Sequence, residues 1–237
     1  MKLGLVGYKG KMAQALIKEI EKRNELSTLI CYSRYEEKNN KINITNDHSH
    51  FVKSADIIID FSRPETSILI IEHCIKNHKP IVCGTTGFTI DEMDYIRKLS
   101  KKGRIFYSAN MSISVGILGN ILQTAVRELL KNNITPDVSI SERHHKHKVD
   151  KPSGTAMTLA SKVKAVSEDV HVDIVSLRYG INTAQHEVIV STDMESITLI
   201  HQATDRSVFA TGAIAAAEFL IHKSENGLYG MEHILTK

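Results

Sequence analysis

The chain reads as an α/β protein: a mostly parallel sheet covered by helices, joined to a smaller α+β domain with a mixed sheet. Three observations predict this. Through residues 3–107, apolar runs of three or four residues alternate with stretches of helical spacing. A glycine-bearing turn joins the first run to the first helical stretch. Beyond Ser108 the alternation gives way to strand-rich sequence.

The elements follow in order. Residues 3–6 form an apolar run closed by Gly7, a buried strand. Met12, Leu16, Ile17 and Ile20 recur at helical spacing and predict a helix over residues 10–23. Residues 29–32 make a second strand, and the Asn- and Lys-rich stretch 36–46 a loop. Isoleucines 57–59 ahead of Asp60 form a third strand, followed after Pro64 by a helix over 65–76. Strands at 81–83 and 105–107 flank a helix over 91–101. Repeated strand–helix–strand units need right-handed crossovers, so the strands lie parallel. A long amphipathic helix over 115–130 opens the second region, with strands at 138–142, 172–179, 187–192 and 196–203 and a helix over 155–166. Only Asp193-Met194-Glu195 separates the last two strands, which predicts an antiparallel hairpin. An apolar helix over 208–221 completes the pattern. The domains expected are 1–112 with 207–237 for a dinucleotide, and 113–206 for substrate binding and oligomerisation.

Composition excludes several classes. The 237 residues are 42% hydrophobic and 24% charged, with 30 Lys+Arg against 27 Asp+Glu. A net charge of +3 is too mild to argue for a nucleic-acid or membrane partner. Cys31, Cys74 and Cys83 are odd in number and widely spaced, which points to a reduced, cytoplasmic protein. No signal peptide is read at the N-terminus, and no apolar run approaches the ~18 residues of a membrane span.

The turn Gly7-Tyr8-Lys9-Gly10-Lys11-Met12-Ala13 follows a strand and opens a helix. There glycines permit the tight bend and the close approach of a pyrophosphate to the helix N-terminus, which makes the first domain Rossmann-like. Its spacing is G-x-x-G-x-x-A, so an ordinary strand–helix turn stays open as a reading. The second strand ends Cys31-Tyr32-Ser33-Arg34 with no carboxylate to hold a ribose 2′-hydroxyl. A guanidinium there suits a 2′-phosphate, so Arg34, helped by Lys11, favours NADPH over NADH; a solvated arginine is the plainer reading. Gly84-Thr85-Thr86-Gly87 and Ser108-Ala109-Asn110-Met111-Ser112 follow the fourth and fifth strands, where a parallel sheet presents ligands. Either can equally be turn chemistry. Cys83 reads as a buried structural cysteine rather than a thiolate nucleophile.

The densest stretch is Glu142-Arg143-His144-His145-Lys146-His147-Lys148-Val149-Asp150-Lys151-Pro152-Ser153-Gly154-Thr155-Ala156. Ser153 is a good N-cap, and the first-turn N–H groups of Gly154 and Thr155 with nearby cationic side chains make an anion site, suited to a small dicarboxylic or otherwise anionic substrate. A histidine there suits general-acid chemistry. A metal site from His144, His145 and His147, an RNA- or phosphate-binding run, and a solvated loop remain open at this point; no metal is expected, because neighbouring lysines repel a cation.

Together these residues resemble the 4-hydroxy-tetrahydrodipicolinate reductase family, also called dihydrodipicolinate reductases, of bacterial lysine and diaminopimelate synthesis. The likeness covers the glycine turn, Asp60-Phe61-Ser62, Gly84–Gly87, Asn110-Met111-Ser112 with Gly116, and the signature at 142–156. In the last third, Arg178, Gly180, His186, Glu195, His201, Arg206, Phe209, Gly212 and Gly227-Leu228-Tyr229 fall in the family's order. The resemblance implies that His144 donates a proton and that Lys148 is a second catalytic group. His145, Ser153, Gly154 and Thr155 match positions that hold substrate carboxylates. Gly7, Tyr8, Lys9, Gly10, Lys11, Met12, Arg34, Gly84, Thr85, Thr86, Ser108, Ala109, Asn110 and Met111 match dinucleotide contacts. A homotetramer is implied as well. Ala13 and Ala184 depart from the family's usual glycines, Met111 from its common Phe, and Ser33 from a frequent acid. The expected reaction is hydride transfer from NADPH or NADH to an unsaturated cyclic imine. The alternatives are another amino-acid-precursor dehydrogenase, such as an aspartate dehydrogenase, or a nucleotide sensor without catalysis.

Overall fold

The computed structural model describes residues 1–23, 28–35, 42–181 and 184–235. The chain divides into two compact units, Met1–Ser112 with Ser207–Lys237, and Ile113–Arg206. The first unit begins with β1 (Lys2–Val6), α1 (Lys11–Glu21), β2 (Thr28–Tyr32), β3 (Asn43–Thr45), α2 (His48–Ser54), β4 (Ile57–Asp60), α3 (Pro64–Lys76), β5 (Ile81–Cys83), α4 (Ile90–Ser100) and β6 (Arg104–Tyr107). The second contains α5 (Ile113–Lys131), β7 (Asp137–His144), α6 (Gly154–Lys164), β8 (Val172–Arg178), β9 (Ala184–Ser191) and β10 (Ser196–Ala203). The chain then returns to the first unit with α7 (Ser207–Ile221), β11 (Gly227–Tyr229) and α8 (Met231–Leu235).

The first unit is a seven-stranded parallel sheet in the order β11-β6-β5-β4-β1-β2-β3. Every residue of β4 and β5 is buried, as a parallel sheet covered on both faces demands. Helix starts follow local chemistry. Pro64 occupies the first turn of α3, and Thr89 with Glu92 forms a reciprocal capping box on α4. Small buried residues of α7, among them Ala210, Gly212 and Ala213, bring its backbone close to its neighbours. A Cβ on Gly212 would stand 1.7 Å from the Met111 carbonyl oxygen, so only glycine fits.

The second unit is a four-stranded mixed sheet in the order β10-β9-β7-β8. β7 pairs parallel with β8 and antiparallel with β9, and β9 with β10 forms the expected hairpin. Val138, Ile140, Val188 and Val190 meet Leu118, Leu122 and Val126 of α5 and Leu159 and Val163 of α6 in one core. Among the described residues α5 alone is long and apolar enough to cross a membrane; its Leu118, Leu122 and Val126 are buried in this core, while Ile117 and Ile121 stand exposed.

The fold class is as the sequence predicts; the differences are local. β3 lies in the stretch read as a loop, of which residues 36–41 are outside the described ones. α2, β11 and α8 also escape the sequence reading, because three- to seven-residue elements carry too few periods to register. β9 starts three residues earlier than its apolar run suggests, so Ala184 is not in a loop but opens a strand, buried opposite Ala203.

Candidate active site

Two sets of residues have the chemistry of a site, one in each unit. In the first, Gly7 takes φ +77°, a left-handed conformation that favours glycine, and its carbonyl accepts from the Gly10 N–H at 2.8 Å. Gly10 is the N-cap of α1 and has no side chain to offer, so the first turn of the helix is uncapped by any side chain. A cavity of about 370 Å³ opens beside it, lined by Gly7, Tyr8, Lys9, Gly10, Tyr32, Ser33, Arg34, Tyr35, Phe61, Ser62, Arg63 and Thr66, with Val6. Three cations line it, and among the described residues no carboxylate does. That donor set, over a glycine turn at a helix N-terminus, fits the phosphates of a dinucleotide.

The other cofactor candidates stand elsewhere in the first unit. Lys11 and Met12 lie on α1 outside the cavity lining. Gly84, Thr85 and Thr86 follow β5; Gly84 is packed against the Phe61 ring, where a Cβ would meet ring carbons at 2.2 Å. Thr85 is buried, and its hydroxyl accepts from Ser67 Oγ at 2.8 Å and from the Ser62 N–H at 3.0 Å. Ser62 N–H also donates to Asp60 Oδ1 at 2.8 Å. Burial pushes the Asp60 carboxyl up, against the hydrogen bonds of Ser62, Ser67 and Thr85. Ser108 and Asn110 fold their own turn, Ser108 Oγ donating to the Asn110 carbonyl at 2.6 Å, with Ala109 between them. Met111 is buried, so its side chain is part of the core rather than of a ligand surface. Burial, with Asp60 next in effect, drives the Cys83 thiol far up, which removes it as a thiolate nucleophile.

In the second unit, strand alternation turns Val138, Ile140, Glu142 and His144 of β7 to the buried face. Glu142 is fully buried and forks with Arg178 of β8: Nη1 donates to Oε2 at 2.8 Å and Nη2 to Oε1 at 2.7 Å. The Ser153 N–H donates to Oε1 at 3.2 Å, and His144 Nδ1 bonds Oε2. Burial alone would raise the Glu142 carboxyl; the Arg178 fork and the His144 bond outweigh it and hold it at about 2. His144 is pulled below the ordinary imidazole value by burial, with Lys148 and Arg178 adding to that and Glu142 opposing it. With Nδ1 on a carboxylate, Nε2 is the nitrogen that can exchange a proton with a substrate.

Around this pair stand the remaining candidates. Ser153 caps α6, its hydroxyl accepting from the Ala156 N–H at 3.2 Å, which places the Gly154 and Thr155 backbone at the helix start. Lys148 bonds Asp150 at 2.7 Å, so the loop carries an anion of its own among the cations. The His145 ring lies 6.3 Å from that of His147. Among the described residues no group of three or more His, Cys, Asp or Glu is gathered to hold a metal. Sequence reasoning assigned no role to Arg178, His186 or His201, though each fell in the family's order. Their meeting with Glu142 and His144 depends on cross-strand register, which no linear spacing reports.

Comparison with known proteins bears on both units. Two family models match in succession: dihydrodipicolinate reductase, N-terminus, over residues 1–111, and dihydrodipicolinate reductase, C-terminus, over residues 114–235. The chain belongs to the dihydrodipicolinate reductase family. Among its relatives, the 4-hydroxy-tetrahydrodipicolinate reductase of Buchnera aphidicola subsp. Cinara cedri is 36% identical over 100% of this chain and 97% of its own. That of Campylobacter concisus is 35% identical over 99% and 98%. Of solved structures, the dihydrodipicolinate reductase of Paenisporosarcina sp. TG-14, described with dipicolinate bound, superposes with a TM-score of 0.77 at 21% identity over 99% of each chain. An aspartate dehydrogenase from Thermotoga maritima shares the fold more loosely, with a TM-score of 0.56 and 12% identity over 94% of this chain and 97% of that one. As a dihydrodipicolinate reductase family member, the chain is an oxidoreductase that works with a nicotinamide cofactor.

Proposed function

We propose that the chain reduces 4-hydroxy-tetrahydrodipicolinate to tetrahydrodipicolinate, with the proton supplied by His144 and NADPH the favoured cofactor. The observation that carries this reading is the His144–Glu142–Arg178 arrangement beside Lys148 and the start of α6. The bound nicotinamide supplies a hydride to C4 of the cyclic imine left when the 4-hydroxyl departs as water. His144 then gives its Nε2 proton to the resulting enamine. Burial and the neighbouring cations keep that proton loosely held, while Glu142 fixes the ring and its tautomer. Lys148, His145 and the Ser153-Gly154-Thr155 backbone hold the two substrate carboxylates, which orients the ring for attack. Gly7, Tyr8, Lys9 and Gly10 of the cavity, with the Lys11 and Met12 backbone at the start of α1, seat the pyrophosphate end, and Arg34 and Arg63 in the same cavity take the 2′-phosphate of NADPH.

The second unit also supports a homotetramer. The face of its sheet turned away from α5 and α6 exposes Val175, Leu177 and Ile200, with Arg143 and Glu187 paired at 3.5 Å among them. Apolar side chains of this size on a sheet face suit burial against further copies. Cys31, Cys74 and Cys83 are all free and buried, in keeping with the reducing cytoplasm.

The test is His144→Gln. We expect kcat to fall roughly 10²-fold, the loss of a general acid, with the Kd for NADPH unchanged. Near-normal turnover would remove His144 from the chemistry, and tight cofactor binding by a wild-type protein that turns nothing over would favour a sensor instead.

A further inference from the structure

His186 has no place in the chemistry described so far, yet it is an unusual residue to bury. It lies on the inward face of β9, fully enclosed, where the other inward positions are Ala184, Val188 and Val190. Among the described residues neither of its ring nitrogens has a hydrogen-bond partner. A leucine or phenylalanine would fill that volume without the cost of desolvating two polar atoms, so packing does not account for an imidazole here.

Its neighbours do. His186 stands directly opposite Glu142 in the β7–β9 register and opposite His201 in the β9–β10 register. Its ring is 5.2 Å from that of His144, edge to face, and 6.0 Å from that of His201. Three imidazoles therefore run across adjacent strands, from the buried His144 to the partly exposed His201. We propose that His186 and His201 are a proton path that reloads His144 from solvent between turnovers. This rests on the reading of His144 as the proton donor.

Each turnover takes one proton from His144 and leaves its ring neutral. A hydronium or buffer acid gives a proton to His201, which passes one to the bare nitrogen of His186. His186 releases the proton on its other nitrogen to His144, so one proton moves from solvent to His144 and no electrons move; a turn of the His186 ring then restores its starting tautomer for the next cycle. Neutral imidazole is the form that can do this, since it carries one N–H and one lone pair. Burial, with His144 and His201 adding to it, holds His186 at about 3, so it conducts a proton without storing one. Glu142 opposite stabilises the charge while it passes; Lys148 opposes it, and Arg178 engages Glu142 from the far side. Neither His186 nitrogen bonds a neighbouring ring directly, so the transfers run through bridging water or follow a turn of the ring.

The experiment compares the first turnover with steady state. A preloaded His144 needs no path, so His186→Phe should leave the single-turnover rate constant within about twofold of wild type. Its steady-state kcat should fall roughly tenfold or more, the scale of an impeded proton transfer. Added imidazole buffer should restore that kcat while leaving wild type unchanged. His201→Phe, at the partly exposed end, should show the same split more weakly, and it provides the test if His186→Phe does not fold. Equal losses in both regimes would make His186 a packing neighbour of His144 and overturn the path, as would full steady-state activity in both variants. A His144→Gln protein with a normal first turnover would instead overturn the proton-donor reading itself.

Discussion

Replacing Glu142 by glutamine separates charge from shape at the centre of the second unit. The carboxylate is fully buried, forked by Arg178 at 2.7 and 2.8 Å, and bonded to His144. A carboxyl held at about 2 rather than 4.5 stabilises the folded form by about 3 kcal/mol at neutral pH. Breaking a buried ion pair on one side costs a similar amount, about 3–5 kcal/mol, because the abandoned cation stays desolvated. The sign is fixed by the direction of the shift. Since the folded carboxyl titrates below the unfolded one, its contribution is complete above pH 4.5 and disappears as pH falls towards 2. For a chain of 237 residues, about 3 kcal/mol lowers the thermal midpoint by roughly 6–12 °C. We therefore expect Glu142→Gln to melt that far below wild type at pH 7 and the two curves to converge only as pH approaches 2, followed by circular dichroism. A gap that stays constant over this range would refute the ionised-carboxylate account and leave only a loss of packing.

Other expectations are more direct. Arg34→Ala should raise KM for NADPH roughly tenfold more than KM for NADH, as loss of a guanidinium–phosphate contact requires; an equal effect on both would remove Arg34 from cofactor choice. Gly212→Ala should cost about 3 kcal/mol or more, because its Cβ would stand 1.7 Å from a backbone oxygen that no rotamer change can move. A melting point within 2 °C of wild type would show that α7 shifts freely. Ser153→Ala removes the bond from the Ala156 N–H and should cost about 1 kcal/mol by denaturant unfolding, with no change expected in NADPH affinity.

The legible part of the fold is the part with periodicity. Three consecutive isoleucines, 57–59, read as a strand buried on both faces, and β4 is such a strand. The 193–195 turn announced its hairpin through two flanking strands of eight residues. β3 and α2 were hidden by length: Asn43-Ile44-Thr45 has one apolar residue, and α2 buries only Phe51 and Val52. In the site, residues 142–156 stood out because their chemistry is contiguous in the chain. Arg178, His186 and His201 did not, because each reaches Glu142 or its neighbours through strand register over 36 to 59 residues of chain. Asp150 shows a subtler limit. Its place in the stretch was visible, but its bond to Lys148 depends on how the loop folds back.

Why the reacting histidine sits at the end of β7 follows from the same alternation. Residues two apart on a strand share a face, so Val138 and Ile140 anchor the strand in the core while Glu142 and His144 continue that face into the site. The His144 ring thus inherits the rigidity of a strand paired on both sides, with β8 and β9, instead of depending on a loop. β8 adds Arg178 to neutralise Glu142, and Ser153 at the head of α6 donates its backbone N–H to the same carboxylate. One buried carboxylate therefore fixes three things at once: the ring of His144, the strand that carries Arg178, and the start of the helix that offers its N–H groups to an anion. A substitution at Glu142 must disturb all three together. That is why loss of the Glu142 charge should reach substrate KM, through α6, as well as the proton-transfer step, whereas His144→Gln should affect the proton-transfer step alone.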